Sequence, residues 1–137
     1  MKITQKAMQL SLELFDREFN EESRKIQYHF SFLFERNKLV AAGSNSYELS
    51  KKALYFADRY NVPQKKHWPS LHSEIAAISK LWGRYNINKR IKLVNVRFLR
   101  SGQIGSARPC PDCMEVLNAL GITQIYWSTD DGFEGSE

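Results

Sequence analysis

Apolar and polar residues recur along the chain with two periods, and the switches between them mark its elements. Residues 4–16 carry Met8, Leu10, Leu12, Leu14 and Phe15 over a span too long for a strand, which predicts a helix. "YHFSFLF" at 28–34 sets Tyr28, Phe30, Phe32 and Phe34 at the period of two of a strand. "ERNK" reads as a turn and "LVAAG" at 39–43 as a second strand, which makes a hairpin. "LSKKALYFADRY" at 49–60 predicts a helix with Leu49, Ala53, Phe56 and Tyr60 on one side, and the prolines of "NVPQKKHWPS" mark a loop.

The strongest helical pattern is "LHSEIAAISKLW" at 71–82, where Leu71, Ile75, Ile78 and Trp82 share a face and Ser70 suits the N-cap. "IKLVNVRFL" at 91–99 is apolar enough for a strand inside a sheet. "SGQIGSAR" reads as a flexible connection. A helix is expected to start at Cys110, with Pro111 in its first position, and to stop at Gly121. "ITQIYWS" reads as a last strand and "TDDGFEGSE" as a loose acidic tail. This order predicts an α/β fold, a three-layer α/β/α sandwich around a mixed central sheet, as a single domain over residues 1–137.

Composition narrows the class. The 137 residues are 42% hydrophobic, enough for a core without disulfide staples. No apolar run has the length of a membrane span, and the amphipathic N-terminus lacks the apolar block of a signal peptide. Two cysteines three apart are too few for a secreted disulfide framework. A cytoplasmic protein with no membrane partner is the expectation. The net charge is +5, and residues 61–108 hold ten Lys or Arg against a single acid, Glu74. Such a stretch is either a solvated face or a surface suited to the phosphates of a nucleotide or nucleic acid.

Both cysteines lie in "PCPDC" at 109–113. They can form a redox couple, a buried pair without chemistry, or a metal clamp. The flanking Arg108 and Pro109 are not the neighbours of a thioredoxin-type couple. The metal reading gains from His72. If the helices opening near His72 and Cys110 pack side by side on the sheet, one imidazole and two thiolates converge. Three protein ligands leave zinc an open position, the mark of a catalytic site. Glu74 completes the set. Residues two apart lie about 200° around a helix, which separates them mid-helix but not where side chains lean past its first turn. His29 is expected to be structural.

"HSE" at 72–74 with "PCPDC" at 109–113 matches the H-x-E…P-C-x-x-C pattern of zinc nucleobase deaminases. The chain resembles the cytidine deaminase superfamily over nearly its whole length. "NSYELSKKALYFADRYN" followed by "LHSEIAAI" looks most like small bacteriophage deaminases related to deoxycytidylate deaminases. The resemblance implies Zn2+ on His72, Cys110 and Cys113, with Glu74 as the catalytic acid–base. Gly43-Ser44-Asn45 resembles the family's G-x-N segment, which makes Asn45 a substrate contact. Ser73, where alanine is commonest in the family, Pro109 and Arg108 are expected beside the substrate, with His67 and Trp68 at the pocket mouth. The family's final capping strand or helix is expected to be missing.

The activity implied is hydrolytic deamination of a cytosine-type base in a CMP- or dCMP-like nucleoside or nucleotide, releasing ammonia. A base within DNA or RNA, or a purine, is the alternative substrate. The alternative from another class is a zinc-stapled nucleic-acid-binding module. A homo-oligomer is implied by the resemblance, and the host cytoplasm is the expected compartment if the gene is phage-borne.

Overall fold

The computed structural model describes residues 2–22, 25, 27–46, 51, 55, 59, 72–88 and 90–136. In chain order the elements are α1 (Ile3–Glu18), β1 (Gln27–Glu35), β2 (Lys38–Ser44), α2 (Ser73–Leu81), β3 (Ile91–Leu99), β4 (Ile104–Gly105), α3 (Pro111–Ala119), β5 (Gln124–Thr129) and β6 (Gly132–Ser136). Of the helix expected at 49–60, Lys51, Tyr55 and Arg59 are helical. The rest of it, and the loop at 61–70, lie outside the described residues.

The strands form one sheet in the order β2-β1-β3-β5-β6, with β4 paired to β3. Only β3 and β5 pair in parallel, so the sheet is mixed. The period of two in β1 decides the layers. Tyr28, Phe30, Phe32 and Phe34 are at most 1% exposed and share one face with Val94, Val96 and Phe98. Helix α1 covers that face. Its fully buried residues are Ala7 and Ser11; of the expected apolar stripe, Met8, Leu10, Leu14 and Phe15 pack on the sheet and Leu12 is 49% exposed. Small residues sit directly beneath the helix, where the bulky rings of the sheet approach it, and those four larger side chains pack around them. Phe15 meets Tyr28 edge-on, with ring centroids 5.0 Å apart.

The opposite face carries α2 and α3 over a core that includes Leu33, Leu93, Ile125, Ile75, Ile78 and Val116. The three layers and the mixed sheet are as expected. Helix α2 lies against β2 at Gly43. A Cβ built there would sit 2.5 Å from the Ala77 backbone nitrogen and 2.8 Å from both Ala76 Cβ and Ser73 O. Two of these are backbone atoms with no rotamer escape. Gly43→Ala is expected to lower stability by about 1–3 kcal/mol, the usual range for overpacking. Denaturant unfolding measures it, and an unchanged midpoint would show that α2 can slide.

Two segments differ from expectation. "SGQIGSAR" holds β4, which pairs with Arg97 and Phe98 of β3. The tail holds β6, antiparallel to β5 from Thr129↔Gly132 to Ile125↔Ser136. Gly132 supplies a φ of +146° at the turn, and Phe133 packs inward on the aromatic cluster. The tail expected to be loose is thus an edge strand of the sheet. Among the described residues no helix is long and apolar enough to cross a membrane.

Candidate active site

The face of the sheet toward α2 grades from apolar to polar along its length. Leu33 stands opposite Leu93, Ser31 opposite Asn95, and His29 opposite Arg97. Side chains at every second residue share this face. The polar end lies toward the carboxyl end of β3, where open α/β sheets carry their binding crevices.

Helix α2 begins at Ser73, later than the expected start, and His72 is its N-cap residue with φ −77° and ψ 148°. Because His72 is extended, helical spacing does not separate it from Glu74, which sits in the first turn. Helix α3 begins at Pro111, with Cys110 as N-cap and the Cys113 backbone N–H donating to Cys110 Sγ at 3.4 Å. The two N-caps converge: His72 Nδ1 lies 3.7 Å from Cys110 Sγ and 3.4 Å from Cys113 Sγ.

These three ligand atoms all lie within 4.8 Å of one another, and both cysteines are free thiols. Tetrahedral zinc, at about 2.3 Å from sulfur and about 2.05 Å from nitrogen, requires a sulfur–nitrogen separation of about 3.6 Å. The observed pair of distances brackets that value, so the residues fit zinc. The thiol of Cys113 hydrogen-bonds Cys110, and together with His72 this holds Cys110 down to about 4. Cys113 is pushed well above its ordinary value, first by its bond to Cys110 and then by burial. His72 is raised, chiefly by its bond to Cys110.

Glu74 is only 6% exposed, and burial raises its pKa. The Ser73 hydroxyl donates to Glu74 Oε1 at 3.1 Å, and Asn95 Nδ2 donates to Glu74 Oε2 at 3.2 Å. The Ser31 hydroxyl donates to Asn95 Oδ1 at 2.6 Å, and Ser31 Oγ lies 2.7 Å from Ser73 Oγ. The four side chains close a buried polar ring. Sequence reasoning missed Ser31 and Asn95. The signal was an uncharged polar residue at the centre of each strand, Ser31 between the buried Phe30 and Phe32 and Asn95 between the buried Val94 and Val96.

The family described as the cytidine and deoxycytidylate deaminase zinc-binding region matches residues 1–129. The chain belongs to that family. Two solved structures share the deaminase fold. The dCMP deaminase of cyanophage S-TIM5, in apo form, is 19% identical with a TM-score of 0.56, over 94% of this chain and 86% of that one. The cytidine deaminase of Mycobacterium leprae is 16% identical with a TM-score of 0.51, over 93% and 87%. No curated protein sequence matches. The matched region of the deaminase family is its zinc-binding region, and His72, Cys110 and Cys113 are the residues of this deaminase placed to bind the metal.

The other expected site residues fall differently. The Ser73 hydroxyl faces Ser31 and Glu74, inside the ring. The Asn45 side chain bonds β1 backbone, accepting from His29 N at 3.1 Å and donating to Gln27 O at 3.2 Å. Pro109 is buried ahead of Cys110, and exposed Arg108 lies over the Trp127 ring at 5.6 Å. His67 and Trp68 lie outside the described residues. His29 bonds Gln27 Oε1 at 3.1 Å, and burial with Arg97 nearby lowers its pKa to about 4, so it is neutral near pH 7. Arg100 donates to the carbonyls of Glu21 and Lys25, the latter at 3.2 Å, and so ties down the segment after α1.

Proposed function

We propose that this deaminase hydrolyses the cytosine-type base of a free CMP- or dCMP-like nucleotide or nucleoside to its uracil form, releasing ammonia. The observation that carries the reading is the convergence of His72, Cys110 and Cys113 beside the buried carboxyl of Glu74. When bound by these three residues, zinc supplies Lewis-acid activation of water. Glu74 takes the proton from the attacking water. Its buried carboxyl holds that proton and passes it to the ring nitrogen. The same group then carries the proton of the hydroxyl added to the ring carbon to the amine, so that the C–N bond breaks, the carbonyl forms and ammonia leaves. The positive ends of α2 and α3 both face the site and favour negative charge there.

A free nucleotide is supported by the shared fold of a phage dCMP deaminase and by the basic residues around the motifs. Arg108 is exposed one residue before Pro109 and is suited to a phosphate. The non-enzymatic module is less well supported, because the ligand cluster among the described residues holds three members and His29 is not one of them.

The test is ammonia release from a panel of cytosine, adenine and guanine nucleosides and nucleotides together with single-stranded DNA and RNA. Activity on CMP or dCMP is expected, and activity confined to purines or to DNA and RNA would overturn the substrate assignment. Arg108→Glu is expected to raise KM for the monophosphate by at least about tenfold, the effect of losing one charge-assisted contact worth about 1.5–3 kcal/mol, with KM for the nucleoside nearly unchanged. Equal effects on both substrates would remove Arg108 from phosphate recognition.

A further inference from the structure

Asn95 lies in the middle of β3, opposite Ser31 of β1 and beside Trp127 of β5, and is 3% exposed. A polar residue in the interior of an apolar strand is unfavourable unless it is hydrogen-bonded, and an apolar side chain of similar size would fill the place without that demand. The hydrogen bonds of Asn95 account for the whole amide. Its Oδ1 accepts from the Ser31 hydroxyl, while Nδ2 donates to Glu74 Oε2 at 3.2 Å and to the Ala107 carbonyl at 3.2 Å.

These partners fix the orientation of the amide. A carbonyl and a carboxylate both accept, so the NH2 group must face them. A half-turn of the amide would set oxygen against oxygen at two buried contacts. Both N–H directions and the carbonyl are therefore committed to three separate parts of the fold: β1, α2 and the connection before α3. Ala107 stands three residues before Cys110, on the segment that delivers the thiolates. Glu74 stands two residues after His72. One side chain thus touches both halves of the site from the rigid centre of the sheet.

We propose that Asn95 is a positioning residue: its amide fixes the Glu74 carboxylate in rotation and depth relative to the His72, Cys110 and Cys113 cluster, with Ser31 holding the amide in turn. The inference rests on the reading of Glu74 as the acid–base group. It assigns Asn95 no contact with the substrate. A carboxylate held by one donor on each oxygen presents its remaining lone pairs in fixed directions, and a proton acceptor displaced by a fraction of an ångström loses rate without losing substrate affinity.

The experiment uses the full chain loaded with zinc and dCMP as substrate. Asn95→Leu keeps the volume and removes the donor. The expected result is a kcat about 10–100-fold lower, the range for lost outer-shell partners. KM should stay within about twofold, as expected for an interaction acting on the chemical step alone. Zinc content should equal that of the unaltered protein. A folded, zinc-loaded Asn95→Leu protein with unchanged kcat overturns the inference. So does a loss carried entirely by KM, which would make Asn95 a binding residue.

If Asn95→Leu does not fold, Ser31→Ala decides. It removes one hydroxyl and leaves the Asn95 carbonyl without its donor. A several-fold fall in kcat at constant KM, restored by Ser31→Thr, supports the inference; a folded Ser31→Ala protein with full kcat overturns it. If the unaltered protein releases no ammonia from any member of the panel, the deaminase reading fails and takes this inference with it. Failure of the variants alone leaves the deaminase reading standing.

Discussion

Glu74→Gln is expected to lower kcat by about 10²–10⁴-fold or more while zinc content and folding survive. That range is typical of general acid–base catalysis, and here one carboxyl is asked to handle several proton transfers. Survival of the fold follows from the ring. The glutamine oxygen can accept from Asn95 Nδ2 in place of Glu74 Oε2, and its NH2 can donate to Ser73 Oγ, since a hydroxyl turns to accept as readily as to donate. The substitution therefore keeps the buried contacts and removes only the proton chemistry. Ammonia release, metal analysis and a melting curve on one preparation check it. An active Glu74→Gln protein with full zinc would reduce Glu74 to a charge at a helix N-terminus.

His72→Ala is expected to differ in kind. The unaltered protein should hold about one zinc per chain, with zinc–sulfur distances of about 2.3 Å. Removing the imidazole leaves two thiolates, and zinc should be lost or much weakened. Metal that binds only the folded chain stabilises it by about 2.7 kcal/mol when its free concentration is a hundred times Kd. At roughly 3 °C per kcal/mol for a chain of this size, the melting temperature in the presence of zinc should fall by about 8 °C. Activity should vanish with the metal. Zinc retained at full content would remove His72 from the ligand set, and a Cys110–Cys113 disulfide in metal-replete protein would remove both cysteines.

Strands β1, β2, β3 and β5 and both motif-bearing helices were legible because each rests on a local pattern. The aromatic alternation of β1 needs no distant partner to be read. The start of α2 was less legible. Leu71 continues the helical period, yet His72 is extended, because a ligand aimed back at α3 needs an N-cap conformation. The strand β6 was hidden by its acidity, although Asp131-Gly132 ahead of Phe133 is a hairpin signal. Arg100 belongs to the basic stretch at 61–108, and only tertiary structure shows it holding the carbonyls of Glu21 and Lys25. Ser31 and Asn95 carried no motif. Each is a polar residue between two buried apolar neighbours, and its meaning lies in a pairing that no local window contains.

That pairing has a consequence for how the chain folds. Ser31 and Asn95 are 64 residues apart, and their strands are the central neighbours of the sheet. Hairpin β1–β2 closes a two-residue loop and can form in microseconds. The β1–β3 ladder must first close a loop of dozens of residues, an entropic barrier repaid only once the long ladder forms. A nascent chain that has not yet reached residue 99 therefore carries β1 with its inner edge unpaired and its aromatic row uncovered on that side. This makes it a species prone to self-association before the last third of the sequence arrives.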